Sequence, residues 1–219
     1  MNRTLNAAKL DFFAGKSTLK MTALLLLFAV VIGALVKGPI YTMIFTMVFA
    51  VTSAGSIFSI HEKSHSDKLY GILPLKKSEM IMGRYLYALI IGTVYVVIAG
   101  ILGFIMARVT GNSLDALAYW ATLALGFIYF SFAIGVSYPI YLKFSFAKAY
   151  IFTMLPMYII AIVILFMTKK TNFISNLSQV IRFFTDNQVL VPLFGVLAGL
   201  ILLAVSALVA NLVYTRKEI

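Results

Sequence analysis

Six apolar stretches, each about as long as a bilayer crossing, dominate this chain: residues 19–36, 40–60, 84–107, 116–142, 147–168 and 189–214. A lipid core takes roughly 20 apolar residues per helical crossing, with some latitude for tilt. The stretches are continuous and lack the alternation of short segments that marks a membrane strand, so each is expected to be a helix with its backbone groups satisfied internally. Composition excludes the soluble alternative. Hydrophobic residues make up 62% and charged residues 11% of the 219 positions, against about 45–50% and about 25% in a soluble domain. The first stretch is not expected to be a removable leader, because no small-residue cleavage site follows it and Lys37-Gly38-Pro39 leads straight into the second. The expected fold is therefore an all-α polytopic membrane protein with six transmembrane helices, forming a single transmembrane domain over residues 1–219.

Cations orient the bundle. Arg3, Lys9, Lys16 and Lys20 precede the first span, and Lys63, Lys68, Lys76, Lys77 and Arg84 lie between the second and third. Lys143 and Lys148 separate the fourth from the fifth, and Arg216 and Lys217 follow the sixth. The opposite side holds only Lys37, Arg108, Lys169, Lys170 and Arg182. The positive-inside rule places both termini in the cytoplasm, as an even number of spans requires. The N-terminal segment 1–18 mixes Leu5, Ala8, Phe12 and Phe13 with Arg3, Lys9 and Lys16, the pattern of a short helix lying in the cytoplasmic membrane interface. Residues 37–39, 109–115 and 169–188 are the expected external loops, the last with a short helix around 174–184. Tyr41, Tyr85, Tyr119, Trp120 and Tyr214 near span ends read as interface anchors.

The spans contain no Asp or Glu: Asp11, Glu62, Asp67, Glu79, Asp115, Asp186 and Glu218 all fall in loops or at helix ends. A proton-coupled carrier needs an ionisable relay within the membrane. A bundle without one fits a passive pore, or half of a machine powered by another subunit. Ala99, Gly103 and Ala107, and likewise Gly195 and Gly199, recur at four-residue spacing and suit helix packing either within one subunit or between two. Pro139 and Pro156 are expected to kink their spans or mark their ends.

Two motifs point to other chemistry. His61-Glu62-Lys63-Ser64-His65 spells HExxH, which on a helix puts two imidazoles on one face for zinc, with Glu62 as general base. An intramembrane zinc metalloprotease using His61, Glu62 and His65 is thus the alternative function. It lacks a third ligand at recognisable spacing, since Asp67 and Glu79 do not fit and Asp11 and Glu218 are remote along the chain. Gly15-Lys16-Ser17-Thr18 resembles the end of a phosphate-binding loop, but Leu10 stands where the first glycine belongs. Ser17 and Thr18 are instead expected to cap the first span.

The longest cytoplasmic loop, residues 61–83, is not simply polar. Ser66 or Asp67 can cap a short helix carrying Leu69, Tyr70, Ile72 and Leu73 that Pro74 stops, and Ser78 with Glu79 can open the third span. Such a helix either docks into a partner's groove or packs on its own bundle, and composition leaves both open. The segment resembles the loop after the second span in ATP-binding-cassette (ABC) permeases of the bacterial type 2 exporter superfamily. There an aromatic residue leads into an acidic-acidic-basic triplet, a Leu-Pro turn, a basic stretch and a basic-Tyr start. The counterparts here are Phe58, His61-Glu62-Lys63, Leu73-Pro74-Leu75, Lys76-Lys77 and Arg84-Tyr85, with His61 departing from the expected acid. Within that group the chain is most similar to permeases of phenol-soluble-modulin-type peptide exporters.

The resemblance implies a dimeric permease, homo- or heteromeric, in the bacterial cytoplasmic membrane, with each subunit docked to a separate ATPase that binds ATP and Mg. The chain itself would bind no cofactor and hydrolyse nothing. Docking would fall on Glu62, Lys63, Asp67, Lys68, Leu69, Tyr70, Leu73 and Pro74 of the coupling helix region, with a second contact at the turn of Lys143, Phe144 and Ser145. Spans rich in Phe, Tyr and Met suit amphipathic or hydrophobic cargo, although the same residues serve equally as lipid-facing surface. A stand-alone channel or structural bundle is the third reading.

Overall fold

The structure, a computed structural model, describes residues 3–64, 76–112, 115–144, 146, 149 and 190–215. Regular structure among the described residues is entirely helical. Helix α1 (Arg3–Gly15) passes through a 3₁₀ turn (Lys16–Thr18) into α2 (Leu19–Val36); α3 (Pro39–Lys63), α4 (Lys77–Thr110), α5 (Ala116–Lys143) and α6 (Leu190–Thr215) follow. Among the described residues five segments are long and apolar enough to cross a membrane: Arg3–Val36, Pro39–Lys63, Ser78–Thr110, Ala116–Lys143 and Leu190–Val213. The predicted fifth span 147–168, with Pro156, and the loop helix around 174–184 lie outside the described residues.

Local chemistry sets the boundaries. Lys37 ends α2 in the left-handed conformation at φ 53°, its N–H donating to Ala34 O at 3.2 Å while Gly38 N donates to Gly33 O at 3.1 Å. Extended Gly38 then presents Pro39 at the first turn of α3, where a missing N–H costs nothing. At the start of α4 the Glu79 carboxylate reaches back to accept the Lys76 N–H at 2.9 Å, so the helix begins at Lys77 rather than at the expected Ser78. Ser17 and Thr18 do not cap α2 as expected; their hydroxyls donate backwards to Ala14 O and Gly15 O and close α1 instead. Helix α5 continues through Pro139 to Lys143.

Helix α3 is the hub. Met43, Met47, Ala50, Ala54 and Ile57 form a stripe at three- and four-residue spacing with essentially no exposure. Tyr95 and Ala99 of α4 and Phe130, Ile134 and Tyr138 of α5 complete the core around it. Small residues let the helices approach. A Cβ added at Gly103 would stand 2.6 Å from the Met43 side chain, one at Gly126 2.7 Å from Met47, and one at Gly195 2.5 Å from Ala124 Cβ. Gly103, Gly195 and Gly199 therefore pack helices within this chain, which resolves the choice their spacing left open.

Numbers rise together along α5 and α6: Gly195 faces Ala124, Gly199 faces Phe127, and the Ser206 hydroxyl donates to Gly135 O at 2.7 Å. The two helices run parallel, so Lys143 and Leu190 sit at opposite ends of the bundle. Asn112 after α4 donates its side-chain amide to Lys37 O and ties together the two connections at the end remote from α1. Outward faces of α2 and α6, including Leu24, Leu27, Leu35, Ile201, Leu208 and Leu212, are exposed and apolar, as a lipid-facing surface must be.

Candidate functional site

The polar chemistry gathers at the end of the bundle that carries α1. At 34 residues α4 is about 51 Å long at 1.5 Å per residue, well beyond the roughly 30 Å apolar layer. Its first turns therefore extend towards α1 at this end. Helix α1 lies on them through small residues: buried Ala7 and Ala8 meet Gly83, where an added Cβ would fall 2.6 Å from Ala7 Cβ and 3.1 Å from Ala8 N. Phe12, Phe13, Leu5 and Leu10 point away from the protein and are exposed. The face that the protein covers is Ala7, Ala8 and Asp11, which leaves the aromatic pair on the uncovered side of the helix.

Asp11 is the residue that sequence reasoning missed. It was expected at a helix end and remote from the HExxH segment, yet it lies within α1, 1% exposed, and its Oδ1 accepts a hydrogen bond from His61 Nε2 at 2.8 Å. His61 ends α3 and is itself buried. A buried carboxylate is costly unless paired and hydrogen-bonded, so an imidazole rather than an acid at position 61 is what Asp11 requires. No local pattern could have found this pair, since fifty positions separate its members.

Arg84 and Tyr85 depart from expectation in the same way. Expected at the membrane edge, both are buried. The Arg84 guanidinium sits 4.8 Å above the Phe58 ring, and the Tyr85 hydroxyl hydrogen-bonds with Ser206 of α6 at 2.6 Å. From there a run of ring contacts crosses the bundle. Tyr85 meets Tyr138 at 5.3 Å, Tyr138 meets Phe58 at 4.9 Å, Phe58 meets Tyr141 at 5.0 Å, and Tyr141 stacks on Phe146 at 5.0 Å. The Tyr138 hydroxyl donates to Ala54 O at 3.1 Å. Offset and edge-on aromatic pairs of this kind contribute about 0.5–1.5 kcal/mol each beyond burial, so this end of α3, α4, α5 and α6 is held as one body.

Of the expected docking residues, Glu62, Lys63, Lys143 and Phe144 are described, and all four are exposed at this end. Asp67, Lys68, Leu69, Tyr70, Leu73, Pro74 and Ser145 lie outside the described residues. Glu62 Oε2 accepts the backbone N–H of Phe146 at 2.6 Å, so the root of the loop after α3 is bonded directly to the turn after α5. Glu62→Ala is expected to weaken this tie by about 1 kcal/mol, the usual net value of one hydrogen bond. Hydrogen exchange at the Phe146 amide should then quicken roughly fivefold, while Glu62→Gln, which keeps an acceptor, should change it little.

The same geometry disfavours the zinc reading. His61 Nε2 is engaged by Asp11, Glu62 is turned to Phe146, and among the described residues no three His, Cys, Asp or Glu side chains gather as a metal would need. His65 lies outside the described residues.

Charge agrees with the geometry. Among the described positions, Arg3, Lys9, Lys16, Lys20, Lys63, Lys76, Lys77, Arg84 and Lys143 belong to the α1 end, and only Lys37 and Arg108 belong to the other. Comparison with known families matches residues 8–215, nearly the whole chain, to the model described as ABC-2 family transporter protein. Searches of curated proteins and of solved structures gave no match.

Proposed function

The chain belongs to the ABC-2 transporter family, and from that premise we propose that it is the membrane-spanning permease subunit of an ATP-driven exporter, coupled to its ATPase through the α1 end of the bundle. In this reading two permease subunits, alike or different, pair around a pathway in the bacterial cytoplasmic membrane, and each docks one ATPase subunit that supplies ATP, Mg and hydrolysis. Docking falls on Glu62, Lys63 and the segment through Asp67, Lys68, Leu69, Tyr70, Leu73 and Pro74, with Lys143, Phe144 and Ser145 as a second contact.

The observation that carries this reading is the bond from Glu62 to Phe146. It joins the two proposed docking segments at their roots, so a push on either reaches both α3 and α5. Behind it the aromatic run connects to α4, and the Tyr85–Ser206 hydrogen bond carries the connection on to α6. Closing of the ATPase dimer would displace this rigid end, and a bundle with two packings would convert the displacement into alternating access.

Six crossings and cytoplasmic termini belong to the same proposal. Parallel α5 and α6 favour one further crossing between them, and the cation excess at the α1 end favours a cytoplasmic location. There α1 would hold Phe12 and Phe13 in the membrane interface beside the headgroups. Amphipathic peptides of the phenol-soluble-modulin kind, or other hydrophobic compounds, are the proposed cargo. The docking test is co-purification with the partner ATPase. Leu69→Asp, Tyr70→Asp and Leu73→Asp should each reduce recovery of the ATPase at least tenfold, by putting a charge into an apolar groove; unchanged recovery in all three would overturn the docking site.

A further inference from the structure

A cavity of about 820 Å³ opens between α2, α3 and α5 on the α1 side of the bundle. Its wall follows α3 from Phe49 to Ser64, about 22 Å of helix at 1.5 Å per residue. The wall is graded. Ser17, Thr18, Lys63 and Ser64 surround one end, whereas Met21, Leu25 and Phe49 line the other. Between them Thr52, Ser56 and Ser59 follow one face of α3 at four- and three-residue steps, and Lys63 extends the same row.

Across from that row stands Ser137 of α5. It is 2% exposed, it lines the cavity, and its hydroxyl has no hydrogen-bond partner among the described residues. Buried polar groups are nearly always paired, so an unpaired hydroxyl facing a cavity marks a place where a ligand group belongs. Thr52 and Ser56 already donate to Phe49 O and Ser53 O at 2.8 and 2.7 Å, which leaves their oxygens as acceptors. Among the described residues no carboxylate lines the space, and the charged group that does is the Lys63 ammonium.

We propose that this cavity binds a single-chain amphipath with an anionic head, phosphate or carboxylate. The head is held by Lys63, the polar linkage by Ser137 and Ser59, and the apolar chain lies along Leu25 and Phe49. The volume falls within the roughly 300–1,000 Å³ of small-molecule sites, and the graded wall selects for both ends of the ligand. As a loading site for export this deepens the proposed function and rests on it; binding itself needs no ATPase, so failure of either reading can be told from failure of the other.

The chain contains no cysteine, so Ser137→Cys supplies a single thiol inside the cavity. Labelling of that thiol by a maleimide in nanodiscs should slow at least tenfold with dodecyl phosphate and not with dodecyltrimethylammonium at equal concentration. Lys63→Glu should abolish the protection. Equal protection by both amphipaths, protection by neither, or protection that survives Lys63→Glu would overturn the proposal. Ser59→Cys carries the same test where Ser137→Cys does not fold. Two membranes distinguish the source of the ligand. If labelling without added amphipath is already slower in phosphatidylglycerol than in phosphatidylcholine nanodiscs, the bilayer supplies it. If the two rates are equal and dodecyl phosphate still protects, it enters from the aqueous side; both results support the site.

Discussion

Replacing Asp11 by Ala should destabilise the bundle by about 1–3 kcal/mol, the cost of removing one partner of a buried hydrogen bond. The effect follows from burial. Asp11 is 1% exposed and sits 2.8 Å from His61, itself buried, so the imidazole left behind has lost its acceptor without gaining water. Helix α1 has only 13 residues, too few to hold together on its own in water. With Asp11 gone, the contact of Ala7 and Ala8 with Gly83 still anchors that face. Chemical unfolding in detergent should show the loss, and limited trypsinolysis should show earlier cleavage at Lys9. Asp11→Asn, which keeps an acceptor of the same size, should retain a large part of the stability. Asp11→Leu combined with His61→Leu should be far less damaging than the sum of the single changes, because a well-packed apolar pair can replace a buried polar one.

The second large effect is expected at Gly195. A Cβ there would lie 2.5 Å from Ala124 Cβ and 2.9 Å from Ala124 Cα. The obstacle is a neighbouring backbone, which cannot rotate aside as a long side chain can. Gly195→Leu must therefore separate α5 from α6 along their shared length, at a cost beyond the ~1–3 kcal/mol usual for overpacking. The shift would also break the Ser206 bridge that joins Gly135 O to Tyr85. Gly135 gives the contrast. Its added Cβ would meet Ser206 Cβ at 3.5 Å, an ordinary contact, so Gly135→Ala should be neutral or slightly stabilising. Thermal midpoints of the two variants measured side by side decide the matter.

The long elements were legible because a bilayer demands continuous apolar length. The run 19–36 is α2 to the residue, and α3, α5 and α6 differ from their expected limits by a few residues at most. Helix α4 begins seven residues early, at Lys77, because Glu79 reaches back to the Lys76 N–H and opens the helix ahead of the apolar run. What escaped was everything decided by packing between distant segments. Tyr85 has the position and chemistry of an interface anchor, and only the arrival of α6 makes it a buried partner of Ser206. Asp11 reads as one acid in a basic tail until α1 folds over α3. Ser17 and Thr18 look like caps for the helix they precede but satisfy the one they follow, because two helices abut there and the earlier one leaves its last carbonyls open. Charge groups Glu62 and Lys143 with the N-terminal cations, and the structure has both exposed at the α1 end, whereas the bond from Glu62 to the Phe146 backbone had no signal in the sequence.

The permease reading holds that this bundle does work only when a separate ATPase pushes on it. ATP turnover in proteoliposomes, measured for the purified chain alone and then with its partner ATPase, tests this most directly. The chain alone should hydrolyse no ATP above background. With the ATPase present, turnover should rise and drive efflux of amphipathic peptide, and Tyr70→Asp should return both to the level of the uncoupled ATPase. Turnover by the chain alone, or peptide cleavage by it that Glu62→Gln abolishes, would contradict the account.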